Sequence, residues 1–514
     1  MTTCDTLTGL LDSASFVNTV DSLMKRTTVP QAIIFSDIEN FKSFNMTYTM
    51  YEGNMLLRYI GRTLCTVFNG RYVARFGDDH FVVVCPKDEA EDGLHHLHIM
   101  VSESENYRNV KLKSGLCELK QSDDVMTICD MARIACISIK GNYDKDFLWY
   151  DSKLSATLMT RRYVIDHMQE AIDNGWIVAY YQPIMRAMTE QVAGLEALCR
   201  WNDPKYGMLR PDQFIETLEE AHLIHHVDLA ILDQVCAGMR KVMDAGNNPV
   251  PCSINLSRLD FILCDIFKEV NSTLERYNIP HSLIDVEVTE RALSEDDGSL
   301  RNTLDAFHEA GYKLWMDDFG SEYSSLNSLK DYDFDVIKID MKFLSAKATH
   351  NIKKSKVIIA SIVDMAKKLG IHTLCEGVET KENLDFLKEV GCEKIQGYYF
   401  SKPLSYSDLR EHFGAVREQP NDREYMEQIG RINILARNPI QWSNYDDSPM
   451  VLFEYDGKEL HLRNSNAAFS KSLYGVDKDP KMVDSYLNNI NTKLMKQFVS
   501  AAEQSKKNTS PRNC

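Results

Sequence analysis

Eight polar side chains stand at or just after the ends of short apolar runs, and most of them are carboxylates. They are Glu196, Asn255, Glu287, Asp317, Asp318, Lys338, Glu376 and Gln396. Hard oxygen donors without histidine or cysteine suit Mg²⁺ or Mn²⁺ better than zinc. The adjacent aspartates Asp317 and Asp318 could each face a different ion, as in two-metal phosphoester hydrolysis. So many carboxylates would repel one another without cations between them.

Two cationic side chains extend this pattern. Lys338 could orient an attacking water, and Arg200, four residues after Glu196, could hold a phosphate through its planar guanidinium. A single acid at a strand end is more often a helix cap or a solvated loop residue. Polar residues at seven successive strand ends instead favour a metal-dependent site.

The elements that must position these residues repeat between residues 160 and 412. Apolar strand-like runs such as VAGLEAL and LIDVEVTE alternate with amphipathic helical segments that end in or near a glycine. Repeated βα units of this length predict a parallel sheet closed into a TIM-like barrel. In such a barrel the carboxyl ends of the strands meet at one face, so distant residues share one pocket.

The barrel is flanked by two further segments. Strand-like and helical runs alternate over residues 1–155, which predicts a compact α/β domain. Residues 430–514 read as strand, turn, strand and helix, and they weakly resemble the opening of a PAS domain. The predicted fold class is therefore α/β in three parts, ending in a small, partial PAS-like C-terminal segment.

Composition narrows the function classes. The 514 residues carry a formal net charge of −17, which argues against binding a nucleic-acid polymer. The 13 cysteines include no CxxC pair, so a reducing compartment is expected. No signal peptide and no run of 18 apolar residues is visible, so a cytoplasmic protein without a membrane span is expected.

The barrel segment resembles the EAL-domain phosphodiesterases. The matching motifs are Gln182-Pro183, Glu196-Ala197-Leu198 with Arg200-Trp201, Asn255-Leu256-Ser257, Glu287-Val288-Thr289-Glu290, Asp317-Asp318-Phe319-Gly320, Lys338-Ile339-Asp340, Glu376-Gly377-Val378-Glu379 and Gln396-Gly397-Tyr398. The resemblance implies hydrolysis of cyclic di-GMP to the linear dinucleotide pGpG by a homodimer with two Mg²⁺ or Mn²⁺ ions.

The resemblance also implies a role for each matching residue. One metal would be held by Glu196, Asn255, Glu287 and Asp317, and the second by Asp317, Asp318 and Glu376. Lys338 would position the nucleophilic water, with Gln396 beside it. The dinucleotide would be contacted by Gln182, Leu198 and Arg200. Glu290 would anchor the loop after Asp318, which couples the site to the dimer interface in this family.

One departure from the family pattern lies in that loop. The family usually has a second glycine two residues after Gly320, where this chain has Glu322. If the position requires a positive φ, a glutamate there costs about 1 kcal/mol or more. We therefore expect Glu322 to affect the order of the loop.

The N-terminal segment resembles the GGDEF diguanylate cyclases through DTLTGLLD (5–12), SDIENFKSFN (36–45) and RFGDDHF (75–81). Asp37 and Asp79 match metal ligands of that family, and Asn45 matches a guanine contact. Four family positions differ in this chain, namely Asp78 for a glycine, His80 for a glutamate, Asn54 for an aspartate and Ile137 for a lysine. The inhibitory RxxD motif is replaced by FNGR at 68–71.

These departures predict a domain that has lost cyclase activity. The side chain of Asp78 occupies space that glycine would leave free, and a triphosphate needs that space to approach the backbone closely. Two alternatives stay open for it, namely weak binding of GTP and a plain role in scaffolding and dimerisation. For the whole chain, the alternative to an enzyme is a receptor that binds cyclic di-GMP and signals through partners.

Overall fold

The computed structural model of the protein describes residues 3–68, 72–142, 144–294, 298–320, 325–341, 352–414, 416–430, 451–455, 460–465 and 500. The chain divides into two compact units, Met1–Arg162 and Tyr163–Cys514. The predicted C-terminal segment falls mostly outside the described residues, and Glu322 lies outside them as well. None of the helices in the described ranges combines the length and apolarity needed to cross a bilayer.

The first unit is a five-stranded sheet with helices on both faces. Its strands are β1 (Gln31–Ile38), β2 (Val73–Arg75), β3 (Phe81–Pro86), β4 (Leu112–Leu119) and β5 (Phe147–Trp149), in the order β2-β3-β1-β4-β5. Its helices are α1 (Ser13–Met24), α2 (Phe41–Tyr48), α3 (Met50–Val67), α4 (Ala90–Ser102) and α5 (Val125–Ile137).

The central strand β1 is buried along its whole length because both of its faces are covered. Alternate residues of a strand point to opposite faces. Ile34 therefore packs in a cluster with Leu56 of α3, while Ile33 packs in a second cluster with Ile128 of α5. This arrangement explains why β1 is a continuous apolar run that ends in polar residues.

The second unit is built on nine strands. They are β6 (Ile177–Arg186), β7 (Val192–Asp203), β8 (Gly207–Leu209), β9 (Cys252–Asn255), β10 (Ile284–Thr289), β11 (Lys313–Asp317), β12 (Val336–Asp340), β13 (His372–Glu376) and β14 (Lys394–Ile395). Two further strands, β15 (Val451–Tyr455) and β16 (Leu460–Ser465), form a separate antiparallel pair.

Helices surround these strands. They are α6 (Ser152–Asp173), α7 (Pro211–Glu220), α8 (Ile224–Asp244), α9 (Arg258–Leu263), α10 (Ile266–Tyr277), α11 (Glu290–Ser294), α12 (Ser299–Glu309), α13 (Ser325–Asp331), α14 (Ile352–Leu369), α15 (Lys381–Glu389), α16 (Tyr406–Phe413) and α17 (Pro420–Gly430). The first of them, α6, runs across the boundary between the two units.

Eight of the strands close into a barrel in the order β6-β14-β13-β12-β11-β10-β9-β7, with β7 paired back to β6. The predicted α/β fold with a barrel is confirmed, but the prediction of an all-parallel sheet is wrong for β6. That strand runs antiparallel to both β7 and β14. The connection from β6 to β7 is only residues 187–191, and a parallel crossover needs a dozen residues or more.

The barrel interior is layered along the strands. Residues two apart on a strand share a face, so Glu287, Lys338 and Gln396 point inward together with residues deeper in the barrel. An apolar layer lies below them and consists of Ile184, Trp315, Val336 and Leu374. The main core lies outside the barrel, between the strands and the helices.

The opposite mouth of the barrel carries a charged layer that the chain after α16 completes. Arg186 at the end of β6 forms a two-pronged ion pair with Glu418, with nitrogen–oxygen distances of 2.7 and 3.0 Å. Lys313 at the start of β11 pairs with Glu427 of α17 at 2.7 Å. Glu418 and Glu427, within the described residues 416–430, thus pair with side chains of the barrel strands.

Candidate active site

Lys338 lies at the centre of the polar layer and contacts four carboxylates. Its Nζ is 2.6 Å from Glu287 and from Glu376, 3.2 Å from Glu196 and 3.3 Å from Asp317. The lysine side chain is 1% exposed. Burial alone would lower the pKa of Lys338, but the four carboxylates raise it well above its usual range. The side chain therefore stays an ammonium group.

The cluster carries more negative than positive charge, since one ammonium faces four carboxylates. Burial raises the pKa of Glu287 well above its usual range against the pull of Lys338. Burial also raises the pKa of Glu376, to about 8, against the same pull. Glu287 Oε1 is buried without a hydrogen-bond partner among the described residues. These all-oxygen donors with their charge excess fit divalent cations such as Mg²⁺ or Mn²⁺.

Side-chain amides complete the surroundings of Glu196. Gln396 donates from Nε2 to Glu196 Oε2 at 2.6 Å, and Asn255 donates from Nδ2 to Glu196 Oε1 at 3.3 Å. Gln182 stands opposite Glu196 in the β6–β7 pair and donates to the Ser401 carbonyl at 3.2 Å. Both carboxylate oxygens of Glu196 are thus held in place.

Two of the predicted substrate contacts, Leu198 and Arg200, lie on β7 beyond Glu196. Leu198 and Arg200 share the strand face of Glu196 because they follow it by two and four residues. The Arg200 guanidinium lies 5.8 Å from the centre of the Tyr180 ring and donates to the Cys199 carbonyl at 2.7 Å. Both residues are half-buried.

The loop after β11 is anchored by a buried glutamate. Glu290 is fully buried, and its Oε2 accepts the backbone N–H of Gly320 at 3.0 Å. Asp318 is exposed and has a φ of 55°, and its backbone N–H donates to Asp317 Oδ1 at 2.8 Å. Asp317 contacts Lys338, with Nζ and Oδ1 3.3 Å apart.

The first unit holds a second group of ligand-type atoms. One atom each from Asp37, Asp79 and His80 lies within 4.8 Å of the others. His80 Nε2 is 3.4 Å from Asp37 Oδ2, and Lys140 Nζ is 2.6 Å from the same oxygen. Burial raises the pKa of Asp37, but His80 and Lys140 outweigh it, so the pKa is lowered.

Sequence reasoning missed these two partners of Asp37. The family motif marks His80 only as a replaced glutamate, although the turn that carries it adjoins β3, the neighbour of β1. The family spacing places a lysine at Ile137, whereas Lys140 lies three residues further on. Asn45 is the third residue predicted for this site, and its Oδ1 is buried. This oxygen lies 1.8 Å from the position that a Cβ atom would occupy on Gly53.

The turn between β2 and β3 has left-handed backbone at two positions. Gly77 has a φ of 103° and Asp78 a φ of 42°. Arg75 stabilises the turn by donating to the Asp78 carbonyl from Nε at 3.0 Å and from Nη2 at 2.5 Å. An aspartate in this conformation costs about 1 kcal/mol relative to glycine.

Two segments of the chain match family descriptions. Residues 2–145 match "Diguanylate cyclase, GGDEF domain", and residues 165–403 match "EAL domain". The chain belongs to the proteins that carry a GGDEF domain followed by an EAL domain.

Several proteins of known name are similar to parts of this chain. The chain is 27% identical over 387 residues to the bifunctional diguanylate cyclase/cyclic di-GMP phosphodiesterase MucR of Pseudomonas aeruginosa, covering 74% of this chain and 56% of MucR. It is 35% identical over 242 residues to the probable cyclic di-GMP phosphodiesterase PdeG of Escherichia coli, covering 47% of each. The chain spans about half the length of the curated relatives it matches.

Among solved structures, the chain is similar to one named "PaMucR Phosphodiesterase, c-di-GMP complex". The identity is 30%, the match covers 48% of this chain and 99% of that one, and the TM-score is 0.45.

Proposed function

We propose that the barrel hydrolyses cyclic di-GMP to linear pGpG and requires two divalent cations, Mg²⁺ or Mn²⁺. The observation that supports this most is the cluster of four carboxylates around the buried Lys338. A site that only bound the dinucleotide would not need a buried ammonium among so many acids. The matching family and the names of the relatives support the same substrate.

The ligands of the cations would be Glu196, Asn255, Glu287, Asp317, Asp318 and Glu376. When bound, the cations would supply Lewis-acid stabilisation of the phosphate charge and activation of water. Because its pKa is raised, Lys338 would act as a fixed positive charge that orients the attacking water and would not act as a base. The hydrogen bonds from Gln396 and Asn255 would hold Glu196 in place.

Substrate would enter along the face of β7 that Leu198 and Arg200 line. The guanidinium of Arg200 would pair with a phosphate of the dinucleotide, a geometry that lysine does not offer. Gln182, held by the Ser401 carbonyl, would contact the substrate from the opposite strand. A homodimer, with its interface coupled to the loop that Glu290 anchors, is part of the proposal.

We propose that the GGDEF domain has no cyclase activity and regulates or supports the barrel. Asp78 carries a side chain and a negative charge where a triphosphate would approach the turn. Asp37, a matching metal ligand, is already engaged by His80 and Lys140. Calorimetric titration with GTP and Mg²⁺, together with the rate of cyclic di-GMP hydrolysis in the presence of GTP, separates the two roles. Binding heat with a changed rate indicates regulation, whereas no heat and an unchanged rate indicate a scaffold.

The test of the barrel is product formation. The purified protein is incubated with cyclic di-GMP and Mg²⁺ or Mn²⁺, and pGpG is separated by chromatography. Glu196→Ala should abolish product, whereas Glu389→Ala, which changes an exposed glutamate of α15, should leave the rate unchanged. Retained binding of cyclic di-GMP without any product in the unaltered protein would replace the enzyme with the receptor alternative.

A further inference from the structure

A cavity of about 100 Å³ lies on the outer side of the barrel wall. It is enclosed by β6 and β7 on one side and by helices α8 and α16 on the other. Tyr181 and Leu195 form part of its floor, and each precedes a residue of the polar layer, Gln182 and Glu196. Because neighbouring strand residues point to opposite faces, the cavity and the polar layer share one wall.

The lining of the cavity is apolar apart from a few groups. Phe413, Tyr406 and Tyr181 provide aromatic surface, and the Tyr181 and Tyr406 rings stand edge to face, 6.2 Å apart. The charged side chains of the lining are Arg410 and Arg417, and no aspartate or glutamate is among the lining residues that the structure describes. The charge of these two arginines is opposite in sign to the net charge of the chain, which is −17.

Two polar groups at the cavity are available to a ligand. No hydrogen bond or ion pair joins the exposed Arg410 side chain, or the Tyr181 hydroxyl, to any part of the chain that the structure describes. Burial raises the pKa of Tyr181, so its hydroxyl keeps its proton and can donate. Arg417 is held at the cavity by Asn247, whose Oδ1 accepts from Nη2 at 3.2 Å.

A glycine in the middle of α8 keeps the cavity open. Gly238 lines it, and a side chain added there would meet only the Tyr181 hydroxyl within 4 Å, at 3.8 Å. Packing therefore does not require glycine at this position, and alanine would favour the helix. The missing side chain preserves space on the face of α8 that Val235, Met239 and Val242 also line.

We propose that this cavity binds a small aromatic monocarboxylate. An engineered apolar cavity of about 150 Å³ takes up benzene, so this smaller cavity of about 100 Å³ limits the ligand to one ring at most. The tyrosine and phenylalanine rings would pack edge to face against the ligand. Its carboxylate would face Arg410 and Arg417 at the mouth, in the charge-assisted contact that guanidinium groups make best.

The experiment follows binding of 4-fluorobenzoate to the full chain by fluorine NMR. We expect a dissociation constant of about 1 mM or tighter, given the size of the ligand. The uncharged analogue 4-fluorobenzamide should bind at least about tenfold more weakly than the acid. Acetate, which has the charge without the ring, should not compete at equal concentration.

Single substitutions test whether 4-fluorobenzoate binds in the cavity. Gly238→Leu fills the space and should abolish binding, while Arg410→Gln should weaken it about tenfold. Arg240→Gln is the matched control, because Arg240 lies on α8 with Gly238, pairs with Asp244 and is not among the lining residues. If Gly238→Leu does not fold, as judged by circular dichroism, Gly238→Ala takes its place, with several-fold weaker binding and a raised unfolding temperature expected.

Three results would overturn the proposal. They are unchanged binding in the Gly238 variants, equal affinity for the amide and the acid, and no binding to the unaltered protein at about 20 mM ligand. None of these depends on turnover of cyclic di-GMP, so the cavity and the proposed hydrolysis are tested separately.

Discussion

Replacing Glu418 by alanine should destabilise the barrel far more than a typical surface change. The Arg186 and Glu418 side chains are 2% and 0% exposed, and they form two parallel hydrogen bonds. Glu418→Ala would leave the guanidinium buried without its counterion. Breaking a buried pair in this way costs about 3–5 kcal/mol.

A matched control exists on the surface of the same unit. Arg210 and Asp212 also form two hydrogen bonds, at 3.1 and 2.9 Å, but their side chains are 72% and 66% exposed. Water screens such a pair, so Asp212→Ala should cost about 1 kcal/mol or less. The two substitutions remove the same kind of contact and differ mainly in burial.

Urea unfolding followed by tryptophan fluorescence measures the difference, because Trp201 and Trp315 are buried in the barrel. With a denaturant slope of about 3 kcal/mol/M, the Glu418→Ala midpoint should fall by about 1–1.7 M. The double variant Arg186→Met/Glu418→Leu should recover most of the loss, since apolar residues of similar volume often replace a buried pair. Equal costs for Glu418→Ala and Asp212→Ala would refute this reasoning.

Three further outcomes are expected. Removing divalent cations with a chelator should lower the calorimetric unfolding temperature of the barrel, because ions that bind only the folded cluster around Lys338 stabilise it by about 2.7 kcal/mol at 100 times their dissociation constant. Burial raises the pKa of Glu427, but Lys394 and Lys313 outweigh it and lower the pKa to about 2. Glu427→Gln should therefore lower the free energy of unfolding by about 3 kcal/mol at pH 7. When unfolding is measured at several pH values, the difference in stability between the variant and the unaltered protein should disappear as the pH falls from about 4.5 toward 2. Gly115→Ala should destabilise the first unit by about 3 kcal/mol or more in urea, because its new carbon would lie 1.8 Å from a backbone carbonyl oxygen of α5. An unchanged midpoint for Gly115→Ala would contradict that contact.

The barrel and the polar layer follow from patterns that a sequence displays. Polar residues such as Glu287 and Lys338 interrupt apolar strands near their carboxyl ends, and strand periodicity turns both to the inside. The structure brings these side chains together, while their catalytic and metal-binding roles stay predictions. The strand β6 is different, because its antiparallel course places Gln182 at the site from the middle of the strand.

Contacts between remote residues were not predictable in the same way. Arg186 and Glu418 are 232 positions apart, and no period or motif connects them. Lys140 follows α5 at a position that family spacing does not mark, yet it reaches Asp37. The predicted end of the barrel near residue 412 also left out Glu418 and Glu427, because amphipathic periodicity does not show which charges become buried.

The wall shared by the cavity and the polar layer has a thermodynamic consequence. Leu195 and Glu196 are consecutive residues, so a displacement of one backbone segment changes both compartments. If an occupant of the cavity changes the affinity of the polar layer for its ligand by some factor, that ligand must change the affinity of the occupant by the same factor. The coupling can therefore be measured from either side of β7, by titrating whichever ligand gives the better signal.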